Sequence, residues 1–232
     1  MQEQFRRRRL PHWDKPGAIY FVTACLAGSI PAQGVLDIEQ FRGTLKKRNK
    51  PGDLSESEWK TQRWKQLFSR YEFWLDRHPA ARHLANQPVA HEVEESLLHF
   101  AGERYALWVY VIMPSHFHWV FEPLPDWVAN LGESVNKRSP RERVMHSIKL
   151  HSARQCNRLL EHKGAFWQDE SYDHCVDDLD ELERIIDYVE LNPVKAGLCE
   201  SREAWRFSSA WYRNEQGIES GRPILGESPL FA

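Results

Sequence analysis

Two apolar runs held two residues apart constrain the fold of this chain more than any other feature. Ala106 to Met113 reads ALWVYVIM and His116 to Leu124 reads HFHWVFEPL, with Pro114 and Ser115 between them. Both runs are rich in the β-branched and aromatic residues that favour strands. A tight turn at Pro114-Ser115 joins them as a β-hairpin.

The second strand carries two polar rings. Side chains alternate faces along a strand, so His116 and His118 point to one side and Phe117 to the other. Two imidazoles so placed can grip one metal ion, or they can be a pair of histidines satisfied by their neighbours. H-x-H by itself does not choose.

Around the hairpin the chain alternates strand and helix signals. Ala18 to Gly28, AIYFVTACLAG, is a strand bounded by Gly17 and Gly28. The region of about 42–88 reads as a helical insertion, with Trp64, Leu67, Phe68, Tyr71 and Leu75 at helical spacing and Ser55 or Ser57 as its cap. The segment NQPVAHEVEESLLHFAGERY follows as an amphipathic helix with Pro88 near its start and Gly102 as its stop. After a loop from Pro125 to Pro140 comes a basic helix, RERVMHSIKLHSARQCNRLLEH, with Val144, Ile148, Cys156 and Leu159 as its buried stripe. GAFWQDESYDHCV is a short extended piece. DLDELERIIDYVELNPVKAGL then opens on aspartates suited to a helix N-terminus, buries Leu182, Ile185, Ile186 and Val189, and meets Pro193 and Gly197, which stop or interrupt it. This order predicts an α+β fold: an antiparallel sheet with helices packed on one or both faces. The whole chain, 1–232, is expected to form a single domain with a basic arm at 1–10 and a tail from about 201 to 232.

A net charge of -2 conceals local asymmetry. Arg6, Arg7, Arg8 and Arg9 form a block, and Lys137, Arg138, Arg141, Arg143, Lys149, Arg154, Arg158 and Lys163 crowd one segment, whereas Asp177 to Asp187 is acidic. Such separation suits a polyanion on one face, or simply a solvated surface. The four cysteines form no CxxC pair, which excludes a zinc knuckle and a thioredoxin-type motif. No apolar run approaches the ~18 residues of a membrane span, so a soluble cytoplasmic protein that does not engage membranes is expected.

A second polar pair lies near the chain's end. Tyr188 and Asn192 stand at i and i+4, on one face if the helix persists, but the residue before a proline is biased away from helical angles. Spacing alone allows Tyr188 to be a core aromatic with its hydroxyl at the rim.

The ordered set VIMPSHFHWVFEPL, SIKLHSARQCNRLL and FWQDESYDHC followed by LERIIDYVELNPVKAGL resembles the REP-associated tyrosine transposases, relatives of the single-strand transposases in the HUH nuclease superfamily. The similarity runs from about Pro11 to Trp211, and the insertion departs from the compact family core. The resemblance implies a ferredoxin-like HUH fold, Tyr188 as nucleophile, and His116, His118 and Asn192 as metal ligands. Its implied substrate is single-stranded DNA with REP-type hairpins, cut through a 5′-phosphotyrosine intermediate, and it favours a monomer over a homodimer. The nitrogen and oxygen donors accept Mg²⁺ or Mn²⁺, and Zn²⁺ would also fit. Lys149 and Arg154 are expected to hold phosphates, with Arg6 to Arg9 as an arm reaching the DNA. Trp119, Trp167 and Tyr172 are rings that either stack bases or fill the core, and Tyr172, beside His174, is the rival nucleophile. Two other readings compete: a hairpin-binding protein that keeps the fold without chemistry, and a hydrolytic metalloenzyme in which Glu122 completes the histidine site.

Overall fold

The computed structural model describes residues 4–7, 11–15, 17–132, 138–169 and 171–231. The strands are β1 (Gln4–Arg7), β2 (Pro11–Asp14), β3 (Tyr20–Cys25), β4 (Tyr105–Ile112), β5 (His116–Pro123) and β6 (Tyr172–Cys175). The α-helices are α1 (Ala32–Lys47), α2 (Glu56–Arg77), α3 (Gln87–Leu98), α4 (Pro125–Ala129), α5 (Pro140–Leu159), α6 (Leu179–Lys195) and α7 (Ser209–Gln216). They fall into two compact units, Met1–Ala27 with His83–Ala232, and Gly28–Arg82.

The larger unit is built on the expected hairpin. Every residue of β4 and β5 is buried, which is why both read as nearly unbroken apolar runs. β3 pairs with β5 and β6 pairs with β3, giving the order β4-β5-β3-β6 with every neighbour antiparallel. Taken along the chain, β3, α3, β4, β5, α5 and β6 make the split β-α-β-β-α-β arrangement of ferredoxin-like folds. The fold is therefore α+β.

Register sorts the residues onto two faces. Phe117, Trp119 and Phe121 of β5 lie opposite Ala24, Val22 and Tyr20 of β3, on the face that packs under α3, which in turn packs against α5. The Tyr105 hydroxyl donates to Leu97 O in α3 (2.7 Å), and that of Tyr110 donates to Glu94 (2.8 Å). The opposite face carries His116, His118 and Val120 of β5 with Cys25, Thr23 and Phe21 of β3. α6 covers it.

Local signals explain the helix starts. Ser139 caps α5 in a capping box with Glu142, and Asp178 caps α6 by accepting from Glu181 N (2.7 Å). Pro193 does not stop α6, against the sequence expectation of an interruption there. The helix loses the bond a residue-193 N–H would have made, yet it closes one more turn through Ala196 N to Asn192 O (2.9 Å) and Leu198 N to Pro193 O (2.9 Å). Gly197, at φ +71°, takes the left-handed position that ends it. Leu159, expected in the buried stripe of α5, is 49% exposed because it is the helix's last residue.

Two buried ion clusters tie the periphery to this core. Arg141 on α5 donates to Asp14 of β2 (2.8 Å) and pairs with Asp173 of β6. Glu190 on α6 accepts from Ser209 (3.0 Å) and Arg213 (3.2 Å) of α7, and Arg213 also donates to the carbonyls of Trp108 and Arg222 (2.7 Å each). The C-terminal tail is thereby packed against β4.

The smaller unit pairs α1 with α2. A Cβ on Gly34 would lie 2.8 Å from the Trp74 ring, so only glycine allows that approach. Asp37 accepts from Arg70 and from Trp74 Nε1 (2.8 Å), and Ser55, with Glu58, forms the capping box of α2. α1 was not legible in the sequence, because two glycines weaken its helical preference. Among the described residues no helix is long and apolar enough to cross a membrane.

Candidate functional site

The histidine face of the sheet and the last two turns of α6 meet at one polar cluster. His116 Nε2 and His118 Nε2 stand 3.0 Å apart, and both residues are fully buried. Each ring is held from behind: His116 Nδ1 lies 2.9 Å from Ser115 Oγ and His118 Nδ1 lies 2.7 Å from Thr23 Oγ1. Hydroxyls at both Nδ1 atoms fix the ring orientations and direct the two Nε2 atoms toward each other.

α6 contributes the remaining groups. Because the helix runs on through Pro193, Tyr188 and Asn192 share a face, and Asn192 Nδ2 is 3.4 Å from both His118 Nε2 and the Tyr188 hydroxyl oxygen. Asn192 is 3% exposed, and among the described residues its Oδ1 accepts no hydrogen bond. Tyr188 is half-buried. Its ring meets His118 (centroids 5.6 Å apart) and, edge-on, Phe21 (6.0 Å), so the phenol is clamped between strands and helix.

These donors suit a divalent cation. Metal-to-imidazole distances of about 2.0–2.1 Å put two neighbouring ligands of one ion about 3 Å apart, the separation found here. When both Nδ1 atoms donate to their hydroxyls, two Nε2 lone pairs face each other, an arrangement that needs a proton or a cation between them. The unsatisfied Asn192 oxygen costs roughly 1–3 kcal/mol, which a cation within reach would offset. His116, His118 and Asn192 thus offer nitrogen and oxygen atoms that could contribute to holding one.

The other residues singled out by sequence fall elsewhere. Lys149 donates to Gln168 O (2.6 Å), Asp169 O (3.1 Å) and Ser171 Oγ (3.2 Å), pinning the loop before β6, and burial holds its pKa below the usual lysine value. Arg154 is exposed on α5. Arg6 and Arg7 lie on β1, while Arg8, Arg9 and Lys137 lie outside the described residues. Trp119 and Trp167 are buried, with Trp167 Nε1 donating to Ser152 (3.0 Å). Tyr172 is 5% exposed, on the histidine face opposite Thr23. Glu122 accepts from Ser228 Oγ (2.5 Å), and burial raises its pKa.

A second group, His174, Asp177 and Glu181, has its ligand atoms within 4.8 Å of one another. Its carboxylate is engaged locally: Glu181 Oε2 lies 3.0 Å from His174 Nε2 and accepts from Asp177 N (3.0 Å) at the start of α6.

Sequence reasoning passed over three contributors. Thr23 was visible as a lone hydroxyl in an apolar strand, and Ser115 as the neighbour of His116. Phe21 carried no signal, since its role depends on where α6 lies.

No family model and no curated protein matches the chain. A solved structure described as "Structure of the REP associates tyrosine transposase bound to a REP hairpin" is similar over 95% of this chain and 90% of that chain, at 15% sequence identity and a TM-score of 0.49.

Proposed function

We propose that the protein is a divalent-metal-dependent endonuclease and strand transferase for single-stranded DNA, with Tyr188 as its nucleophile and His116, His118 and Asn192 as the metal ligands. One observation carries the reading. A partly accessible phenol adjoins an unsatisfied amide and two facing imidazoles, through steps of 3.4, 3.4 and 3.0 Å.

A dication held by these imidazoles and the amide oxygen would draw charge from a phosphate oxygen and make the phosphorus more electrophilic. Mn²⁺ and Mg²⁺ fit such nitrogen and oxygen donors. The chain's own residues do the rest. Thr23 and Ser115 hold the imidazoles, while Phe21 and His118 hold the phenol ring, so the attacking oxygen is placed before substrate arrives.

In the cutting step the phenolic proton leaves to solvent. A bond forms from Tyr188 Oη to phosphorus as the bond to the 3′ oxygen breaks, and that oxygen takes up a proton. The products are a 5′-phosphotyrosine and a free 3′-hydroxyl. An aryl phosphate remains activated, so attack by a 3′-hydroxyl reverses the bond changes and rejoins a strand without outside energy. Hairpin-bearing single strands are the substrate class that the sequence motifs imply.

The test is a panel of fluorescent hairpin oligonucleotides incubated with Mn²⁺ or Mg²⁺ and resolved on denaturing gels. The wild type is expected to give a covalent protein–DNA band, and Tyr188→Phe to give none while still binding the same strand. An adduct from the Phe variant would show that Tyr188 is not the nucleophile. A wild type that binds hairpins but neither cuts nor links to any of them would make the protein a non-catalytic hairpin binder.

A further inference from the structure

Lys195 lies seven residues after Tyr188, about two turns along α6 and on the same face. Its Nζ stands 5.3 Å from the centroid of the Tyr188 ring. Several other cations are engaged within the chain. Arg202 pairs with Asp187 (2.9 Å) and Glu190 (3.3 Å), Arg213 pairs with Glu190 (3.2 Å), and Lys149 is ringed by loop oxygens. Lys195 is exposed, and among the described residues it makes no hydrogen bond and no ion pair.

An ammonium at the C-terminal end of a helix is favoured by the helix dipole, so it needs no carboxylate to be stable there. Its position is nevertheless specific. The side chain leans over the ring of the tyrosine that contacts His118 and Asn192, which places its three donors near the Tyr188 phenol.

We infer that Lys195 is a phosphate-binding residue of the active site: its ammonium contacts the DNA phosphate brought to Tyr188 and holds it for in-line attack. The inference rests on the nuclease reading above and adds to it a contact that neither the histidine pair nor Asn192 supplies. A lysine serves here as a compact point charge, reaching a phosphate oxygen without bidentate geometry.

The test uses the full chain with Mn²⁺ and the hairpin oligonucleotide that the wild type links fastest, comparing Lys195→Met and Lys195→Arg. At saturating DNA, Lys195→Met is expected to form the adduct roughly tenfold or more slowly, as for loss of one charge-stabilising donor. Lys195→Arg should stay within about threefold of wild type, because the charge is kept at similar reach. All three proteins should unfold within a few degrees of one another, since Lys195 is exposed and a cation at a helix end contributes no more than about 1 kcal/mol. A Lys195→Met protein that reacts at the wild-type rate would overturn the assignment while leaving the Tyr188 reading intact. So would an Arg variant as slow as Met, which would mark the lysine as packing on the ring. If the wild type forms no adduct with any strand, the nuclease reading fails and this one falls with it.

Discussion

Thr23 Oγ1 stands 2.7 Å from His118 Nδ1, across the β3–β5 ladder where the two residues are direct partners. The hydroxyl that orients this imidazole comes from a strand far away in sequence and opposite it in the sheet. Outer partners of this kind govern how well a histidine serves as a ligand.

Thr23→Val keeps the shape and removes that oxygen. Mn²⁺ affinity, measured by titration calorimetry, is expected to fall roughly 10- to 100-fold. Unchanged affinity would show that the hydroxyl does not orient a ligand.

Asn192→Leu separates stability from binding. The substitution removes a buried oxygen that lacks a partner, along with two hydrogen bonds at 3.4 Å that are long and weak. Unfolding free energy in urea is expected to change by less than about 1 kcal/mol, whereas Mn²⁺ affinity should fall roughly tenfold or more. Loss of stability without loss of affinity would make Asn192 a packing residue.

Arg141→Met tests the ion cluster that joins β2, α5 and β6. The guanidinium is 5% exposed and faces Asp14 and Asp173, so its removal leaves two buried carboxylates without their cation. A loss of roughly 3–5 kcal/mol is expected in urea unfolding. A much smaller loss would mean that water reaches these carboxylates.

Glu122 makes stability depend on pH in a predictable direction. Burial raises its folded pKa above the ordinary value of 4.5, with the Ser228 hydrogen bond opposing in part. The folded state therefore holds this proton more tightly than the unfolded chain. Its contribution is complete below pH 4.5 and is lost as pH rises through the folded value. The difference in urea midpoint between wild type and Glu122→Gln, followed upward from pH 4.5, should move steadily against the wild type. A flat difference would place the folded pKa at its ordinary value.

What the sequence determined by itself was local. The two apolar runs and the Pro114-Ser115 turn dictate the hairpin, and strand alternation places His116 and His118 on one face whatever surrounds them. Helical spacing sets Tyr188 and Asn192 one turn apart once the helix exists. Such relations follow from backbone geometry over a few residues.

Tertiary structure decided which of these faces meet. Whether the helix would survive Pro193 was settled by packing: Val189 and Pro193 are buried against the sheet, and that burial outweighs one missing hydrogen bond. The insertion of β3 between β5 and β6 put Thr23 behind His118 and Phe21 beside Tyr188. Lys149, one of a row of cations in the sequence, became a loop anchor, while Lys195 was left beside the phenol. Pairing between distant segments depends on the fit of whole buried surfaces, and no spacing within one segment encodes it.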